Sequence, residues 1–133
     1  MSTPARTSSP VRQTRQRAAI RDLFAGGDEF RTAQQVHGVL ERQGDKVGLA
    51  TVYRALQAMA EAGELDAVRS PDGDMTYRAC SSGHHHHLIC RNCGKAVEIE
   101  ASAVEAWADR VAAQYGFRDA GHELEMFGLC QDC

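Results

Sequence analysis

The sequence lacks the features of an exported or membrane-bound protein. Residues 1–10 are rich in serine, threonine and proline and contain no apolar run, so we expect neither a secretory signal nor a transmembrane helix. We therefore expect a cytoplasmic protein with no membrane partner. In that reducing compartment, five cysteines favour metal ligation over disulfide bonds.

The sequence also has little material for an apolar core and lacks the motifs of zinc enzymes. With 133 residues, in one domain or two small ones, neither half could bury enough apolar surface to make a structural metal unnecessary. No His-x-Glu or His-Glu-x-x-His arrangement is present to set a general base beside an open zinc position. We predict that the protein is not an enzyme and takes no small-molecule substrate, which leaves a zinc hydrolase or deaminase as the weakest alternative.

The chain also lacks an overall excess of basic residues, but its charge is divided unevenly between the two halves. The formal net charge is −3, yet residues 1–60 hold 9 Lys+Arg against 5 Asp+Glu, and residues 61–133 hold 6 against 13. Five arginines precede the first acidic residue, Asp22, as expected of a segment that approaches phosphates. On charge alone, an exposed basic tail explains the pattern equally well.

The first half is predicted to contain three short helices and a hairpin. Apolar spacing predicts helices over residues 13–25, from a Thr32/Gln35 capping box to Gly44, and over residues 49–63. Extended stretches at 65–70 and 75–80 then flank a Pro-Asp-Gly-Asp turn. This order is typical of a winged helix-turn-helix, in which the third helix enters the major groove. The candidate DNA contacts on that helix are Thr51, Tyr53, Arg54 and Gln57. Ordinary solvated residues would give the same pattern.

The second half is predicted to be a small α/β unit that follows a hinge-like Ser81-Ser82-Gly83. The pattern indicates strands over residues 86–90, 96–100 and 123–129, and a helix over residues 102–115. The helix is expected to bury Val104, Trp107, Ala108 and Val111. Trp107 and Tyr115 are interpreted as packing residues of a core or an interface.

Two Cys-x-x-Cys pairs, Cys90/Cys93 and Cys130/Cys133, are the strongest chemical signal. Each pair can hold one ion from a short turn, and the two together complete a tetrahedral four-thiolate zinc site. The alternative, a redox dithiol, would need one such pair at the start of a helix. The spacing therefore predicts a structural zinc.

A run of histidines, residues 84–87, lies close to the odd cysteine, Cys80. In an extended run, side chains alternate between faces, so His85 and His87 share one face while His84 and His86 share the other. One run could therefore serve two metals. Centring the hairpin turn on Gly73 sets Asp66 opposite Cys80, which would add a carboxylate and a thiolate to one pair of imidazoles. A slip of one residue would move one partner to the other face.

The other histidine pair needs further ligands. His122 and Glu105 are the nearest candidates by residue type. Glu105 is ambiguous, because Ser102 and Glu105 also form a capping box in which the carboxylate would bind the backbone at Ser102. The local pattern favours the cap.

Three motifs together resemble the ferric uptake regulator (Fur) family of metal-dependent repressors along nearly the whole chain. They are Thr14-Arg15-Gln16-Arg17, Ala50-Thr51-Val52-Tyr53-Arg54, and the run from His84 to Gly94. Within the family, the likeness is greatest to the zinc uptake regulators (Zur) of actinobacteria. The resemblance implies an α+β fold and a homodimer. Its expected parts are an N-terminal winged helix-turn-helix DNA-binding domain (1–80), a hinge (81–84) and a C-terminal α/β dimerisation and metal-binding domain (85–133).

The resemblance also implies up to three zinc ions per chain. The structural site would be Cys90, Cys93, Cys130 and Cys133; the regulatory site Asp66, Cys80, His85 and His87; and the third site His84, His86, Glu105 and His122. For Glu105 the family contradicts the capping box, and we follow the family. Iron, manganese and nickel sensors share this scaffold. Cys80 favours zinc among these ions, because a thiolate prefers a softer cation.

The implied function is a zinc-responsive transcriptional repressor. It would bind the inverted repeat of a double-stranded operator as a dimer when loaded with zinc, and would repress zinc-uptake genes. Arg12, Arg15 and Arg17 would supply phosphate contacts. One alternative is an iron-, manganese- or peroxide-responsive regulator of the same family. Another, from a different class, is a zinc storage or delivery protein in which the histidine run acts as a buffer.

Overall fold

The chain consists of two compact units. The computed structural model describes residues 10–80 and 83–133, with side chains from Thr14 onward. The first unit comprises the described residues up to Gly27 together with Arg31–Ala79, and the second comprises Asp28–Phe30 together with the described part of Cys80–Cys133. Ser81 and Ser82 of the predicted hinge lie outside the described residues.

The first unit contains the three predicted helices: α1 (Pro10–Phe24), α2 (Ala33–Arg42) and α3 (Leu49–Glu61). The Thr32/Gln35 capping box starts α2, because Thr32 Oγ1 accepts the Gln35 N–H at 3.1 Å and Gln35 Oε1 accepts the Thr32 N–H at 2.8 Å. Each helix is followed by a glycine in the left-handed region, which ends it without strain: Gly26, Gly44 and Gly63.

A three-stranded antiparallel sheet completes this unit as the wing. Its strands β1 (Arg31–Thr32), β2 (Asp66–Arg69) and β3 (Met75–Arg78) lie in the order β1-β3-β2. The two-residue β1 was not predicted. One apolar cluster joins the helices to the sheet and consists of Ile20, Phe24, Ala33, Val36, Leu40, Val52, Leu56, Met59, Leu65 and Tyr77.

The predicted register of the hairpin was wrong. The structure pairs Asp66 with Arg78 and Arg69 with Met75, so the turn is centred on Asp72 and not on Gly73. The cause is a loop of five residues, closed by the Ser70 N–H to the Asp74 carbonyl at 2.8 Å. Strand β3 ends at Arg78, before Cys80.

The second unit contains β4 (His86–Cys90), β5 (Ala96–Ile99), α4 (Ser102–Gln114) and β6 (Glu125–Gly128). Its sheet has the order β5-β4-β6, with β4 antiparallel to β5 and parallel to β6. In the parallel pair, His87 lies opposite Glu125. Within the part of the chain that the structure describes, no helix has the length and apolar content needed to cross a bilayer.

The predicted burial of α4 was wrong. Within the chain, α4 contains no buried residue, and Val104, Ala108 and Val111 are only half-buried. Trp107 is 59% exposed and Tyr115 69%. These residues do not fill a core of their own chain, because the described part of the second unit does not cover this face of the helix. Of the two predicted roles, only packing at an interface remains.

Candidate metal centres and nucleic-acid interface

The two Cys-x-x-Cys turns bring four sulfur atoms together. Cys90 ends β4, Cys93 lies in the turn that follows, and Cys130 and Cys133 follow β6. Their sulfur atoms all lie within 4.8 Å of one another, and Cys93 Sγ is 3.7 Å from Cys130 Sγ. Two thiolates bound to one tetrahedral zinc at about 2.3 Å would lie about 3.8 Å apart. The four-cysteine site therefore has the dimensions that zinc requires.

Electrostatics in the four-cysteine site favour a bound cation. Backbone N–H donors from Cys93 and then Cys130 lower the pKa of Cys90 to about 6. At Cys93 the Lys95 N–H acts in the same direction, but burial and the three neighbouring thiols outweigh it and raise the pKa to about 12. The Cys90 thiol ionises readily, and its negative charge opposes ionisation of the other three thiols. Four thiolates can therefore exist together only with a positive ion between them.

A second cluster contains Cys80, His85 and His87. The ligand atoms of these three side chains lie within 4.8 Å of one another, and Cys80 Sγ is 3.4 Å from His87 Nε2. A thiolate and an imidazole on one tetrahedral zinc would be about 3.6 Å apart. Asp66 belongs to the first unit, at the start of β2, and its role as the fourth ligand remains a prediction.

Neighbouring groups direct both imidazoles of this cluster. His87 Nδ1 lies 2.8 Å from Glu125 Oε2, and His85 Nδ1 lies 2.9 Å from the Gly83 carbonyl oxygen. Both partners are acceptors, so we assign the proton of each ring to Nδ1, which leaves each Nε2 with its lone pair for a metal. A hydrogen bond of this kind, from the ring nitrogen that does not bind the metal, is a regular feature of histidine metal sites.

The third cluster gathers His84, His86 and His122 around Glu105. Glu105 Oε1 lies 2.9 Å, 2.6 Å and 2.9 Å from the Nε2 atoms of His84, His86 and His122, respectively. The Nε2 atoms of His84 and His122 are 3.1 Å apart. Three imidazole nitrogens and one carboxylate oxygen, all converging, form a ligand set suited to zinc.

The local interpretation of Glu105 as a capping residue was wrong. The N-cap of α4 is Ala101, one residue earlier than the capping box requires, and no side chain caps the helix. The carboxylate is directed at the imidazoles. The hydrogen bond from His122, followed by the one from His86, lowers the pKa of Glu105 to about 2 against an opposing effect of burial. Glu105 is therefore ionised and available as a ligand.

The outer face of α3 carries the predicted DNA contacts. Tyr53, Arg54 and Gln57 are exposed and Thr51 is half-buried, whereas Val52, Leu56 and Met59 on the opposite side are buried. Side chains on this face also bind one another: Gln57 Nε2 donates to Tyr53 Oη at 3.1 Å, and Arg54 donates to Thr51 Oγ1 at 3.4 Å. Such pairs restrict the side-chain conformations on this face of the helix.

The predicted phosphate contacts lie on α1. Arg15 is exposed and Arg17 half-buried, and Arg12 lies in the first turn, with its side chain outside the described residues. In the described part of α1, Asp22 is the one acidic residue. The helix thus presents positive charge to its surroundings.

Sequence reasoning missed the groups that hold the ligands in place. Glu125 binds His87, Asn92 Nδ2 donates to Cys133 Sγ at 3.3 Å, and the ring of Phe30 touches that of His87 at 5.0 Å. The contact of Glu125 could have been predicted from the alternation of polar and apolar residues in the last strand, if that strand had been paired with the histidine run. Nothing in the sequence near Phe30 indicates its contact.

A winged helix-turn-helix unit, followed by a unit rich in converging cysteines, histidines and carboxylates, defines a metal-responsive transcription regulator. The chain belongs to the ferric uptake regulator family, whose model matches residues 8–127. It is 50% identical to the zinc uptake regulation protein of Mycobacterium tuberculosis over 96% of this chain and 98% of that protein.

Two solved structures extend the comparison. FurB from M. tuberculosis, described as a zinc uptake regulator, matches with 50% identity and a TM-score of 0.57, covering 94% of this chain and 97% of that one. A zinc uptake regulator in complex with zinc and DNA matches with 28% identity and a TM-score of 0.68, covering 89% and 80%.

Proposed function

We propose that the protein is a zinc-responsive transcriptional repressor that binds operator DNA as a dimer when its regulatory site holds zinc. The observation that carries the proposal is the Cys80/His85/His87 cluster, in which a thiol sulfur lies 3.4 Å from an imidazole Nε2. A thiolate in the switching site selects zinc over the harder ferrous and manganous ions. The relative at 50% identity, a zinc uptake regulation protein, supports the same choice of metal.

The four-cysteine site would hold a structural zinc. Its ligands come from two turns on one edge of the sheet, and backbone N–H groups already stabilise the Cys90 thiolate. A closed set of four thiolates leaves no open position for chemistry. The regulator class therefore fits this site better than a zinc hydrolase does. The third cluster around Glu105 would hold another zinc ion.

Asp66 would complete the regulatory site from the wing. Its carboxylate would join Cys80, His85 and His87, as the family resemblance implies. The ligands would then come from both sides of the predicted hinge at residues 81–84, and holding a common ion would restrict the angles that this hinge can adopt. Bound zinc would select the hinge angle at which both recognition helices of a dimer fit successive major grooves.

DNA contact would divide between two elements of the first unit. The exposed Tyr53, Arg54 and Gln57 on α3, with Thr51, would face base edges. Arg12, Arg15 and Arg17 on α1 would contact phosphates, which gives affinity without sequence preference and makes it dependent on salt. The similarity to a zinc uptake regulator solved in complex with zinc and DNA supports DNA as the ligand.

An exposed apolar surface on the second unit supports dimerisation. Leu88, Val97 and Met126 are cross-strand neighbours on one face of the sheet and are 44%, 54% and 42% exposed. Trp107 and Tyr115 add a second exposed apolar region along α4, beside a cavity of about 390 Å³. Apolar patches of this kind on a small domain mark an interaction surface. A second copy of the chain is the partner that the family fold implies.

The Cys80→Ser variant tests the proposal. It should keep the structural zinc and the dimer but lose zinc-dependent binding to an inverted-repeat operator, because the serine hydroxyl is a poor zinc ligand. Gel-shift titration with and without zinc measures this, with wild-type protein as the control. Unchanged zinc-dependent binding would contradict the assignment. DNA binding restored by ferrous or manganous ions would favour the iron or manganese alternative, and absence of any zinc-dependent, sequence-selective complex would favour a zinc buffer.

A further inference from the structure

A short segment from the first half of the sequence is part of the second unit. Asp28–Phe30 lies between α1 and β1 in the chain but belongs with residues 80–133. The Phe30 N–H donates to the Gly94 carbonyl at 2.8 Å, and the Ala96 N–H donates to the Asp28 carbonyl at 2.8 Å. Between these bonds, Glu29 forms an antiparallel bridge with Lys95. The segment therefore extends the sheet beside β5, next to the four-cysteine site.

The close approach of this segment depends on Gly94. Gly94 follows Cys93 directly and has a φ of +83°, in the left-handed region. A Cβ at this position would overlap the carbonyl oxygen of Phe30. Glycine is thus needed here both for its conformation and for the space it leaves. The turn that carries Cys93 and the segment that carries Phe30 are fitted to one another.

Phe30 also reaches the regulatory cluster. Phe30 is 3% exposed, and its ring meets the His87 ring edge-on, with centroids 5.0 Å apart and planes at 90°. His87 itself is 2% exposed, and Glu125 holds its Nδ1. Packing by Phe30 and the hydrogen bond to Glu125 together restrict the orientation of the imidazole. In this orientation, His87 Nε2 lies 3.4 Å from Cys80 Sγ.

We propose that Phe30 is a positioning residue for His87, and that Asp28–Phe30 links the four-cysteine site to the regulatory site. Through Gly94, the folded turn around Cys93 holds the segment, and through Phe30 the segment holds a regulatory ligand. The chain then continues from Phe30 directly into β1 and α2 of the DNA-binding unit. This inference rests on the proposed regulatory zinc at Cys80, His85 and His87.

Substitution of Phe30 tests the positioning role. Phe30→Leu keeps an apolar side chain but loses the ring edge, and Phe30→Ala removes the contact. Regulatory zinc is the chelator-accessible ion that Cys80→Ser lacks, and competition with a chelator measures its affinity. The structural zinc is the ion that stays bound after chelation. We expect about a tenfold or greater loss of regulatory zinc affinity with the structural zinc retained. Wild-type affinity in both variants would overturn the inference. Absence from the wild-type protein of any chelator-accessible zinc that Cys80→Ser lacks would overturn the proposed function and the inference with it.

Gly94→Ala tests the link, and Gly116→Ala is its matched control. Gly116 also has a positive φ, of +73°, but a Cβ there would meet nothing within 4 Å, so only the conformational cost is shared. We expect Gly94→Ala to lower regulatory zinc affinity by about tenfold and to speed hydrogen exchange at the Phe30 and Ala96 amides. Gly116→Ala should change neither. Equal behaviour of the two variants, or unchanged exchange in Gly94→Ala, would overturn the link.

Discussion

The two units are stabilised by different kinds of interior. The first has a cluster of ten buried residues shared by three helices and the wing. In the second, the described residues that are buried are Phe30, His86, His87, Ile89, Cys90 and Ala96. Half of these are candidate metal ligands, and the large apolar side chains of α4 are exposed instead. The first unit therefore has an apolar core of its own, whereas the second unit depends on bound metal ions and on a partner surface for its stability.

Loss of the structural zinc should have the largest effect on the stability of the second unit relative to the first. In Cys93→Ser the site loses a thiolate, and binding of structural zinc is worth about 10 kcal/mol or more of folding free energy in small domains. We expect the second unit to lose its ordered structure while the first stays folded. Residue-resolved NMR spectra would show which residues lose the chemical-shift dispersion of a folded protein.

The matched control is Cys80→Ser, the same substitution at a cysteine outside the four-cysteine site. In this variant the second unit should stay folded, with its NMR signals as well dispersed as in the wild type. A Cys93→Ser spectrum as ordered as that of Cys80→Ser would show that the second unit carries a sufficient core of its own.

The exposed face of α4 should have the next largest effect. Trp107→Glu places a charge in the apolar surface, and truncation of a central aromatic residue commonly costs about 2 kcal/mol or more of association energy. We expect the dimer to dissociate at concentrations where the wild type stays associated, as measured by sedimentation equilibrium. Arg110→Glu, an exposed change on the same helix, is the control. Equal association of both variants would mean that α4 is not part of the dimer interface.

The group behind His87 should have the smallest effect. Glu125→Gln keeps a hydrogen-bond acceptor for His87 Nδ1 but removes the negative charge that increases the basicity of the ring. We expect about a tenfold loss of regulatory zinc affinity, or about 1.4 kcal/mol, with the fold and structural zinc unchanged. Chelator competition measures this, with the exposed Glu123→Gln as control. A loss of structural zinc in Glu125→Gln would assign Glu125 to the fold instead.

Local signals in the sequence predicted most of the fold and the residue types of each site. The helices of the first unit followed from apolar spacing and from stops such as Gly26 and Gly63, because helix ends are set by neighbouring residues. The four-cysteine site followed from its spacing, since each Cys-x-x-Cys is a local turn. Both kinds of signal depend on residues close together in the chain.

The errors came from features that depend on distant residues or on a shift of one residue. The turn after β2 is centred on Asp72, and the predicted centre at Gly73 moved the partner of Asp66 from Arg78 to Cys80. The start of α4 at Ala101 releases Glu105 from capping. Glu125 reaches His87 only because β6 runs parallel to β4, a pairing between distant parts of the sequence. Tertiary contacts decide such details, and no local pattern records them.

The central claim is that a second zinc ion, held beside Cys80, controls DNA binding, and stepwise loading of the wild-type protein tests it most directly. Protein treated with a chelator until only the structural zinc remains would be titrated with zinc while operator binding is followed by fluorescence anisotropy. We expect weak binding at first and then a rise in affinity that Cys80→Ser does not show, since this variant keeps the Glu105 cluster and lacks only the regulatory cysteine. Full operator affinity with the structural zinc alone would contradict it.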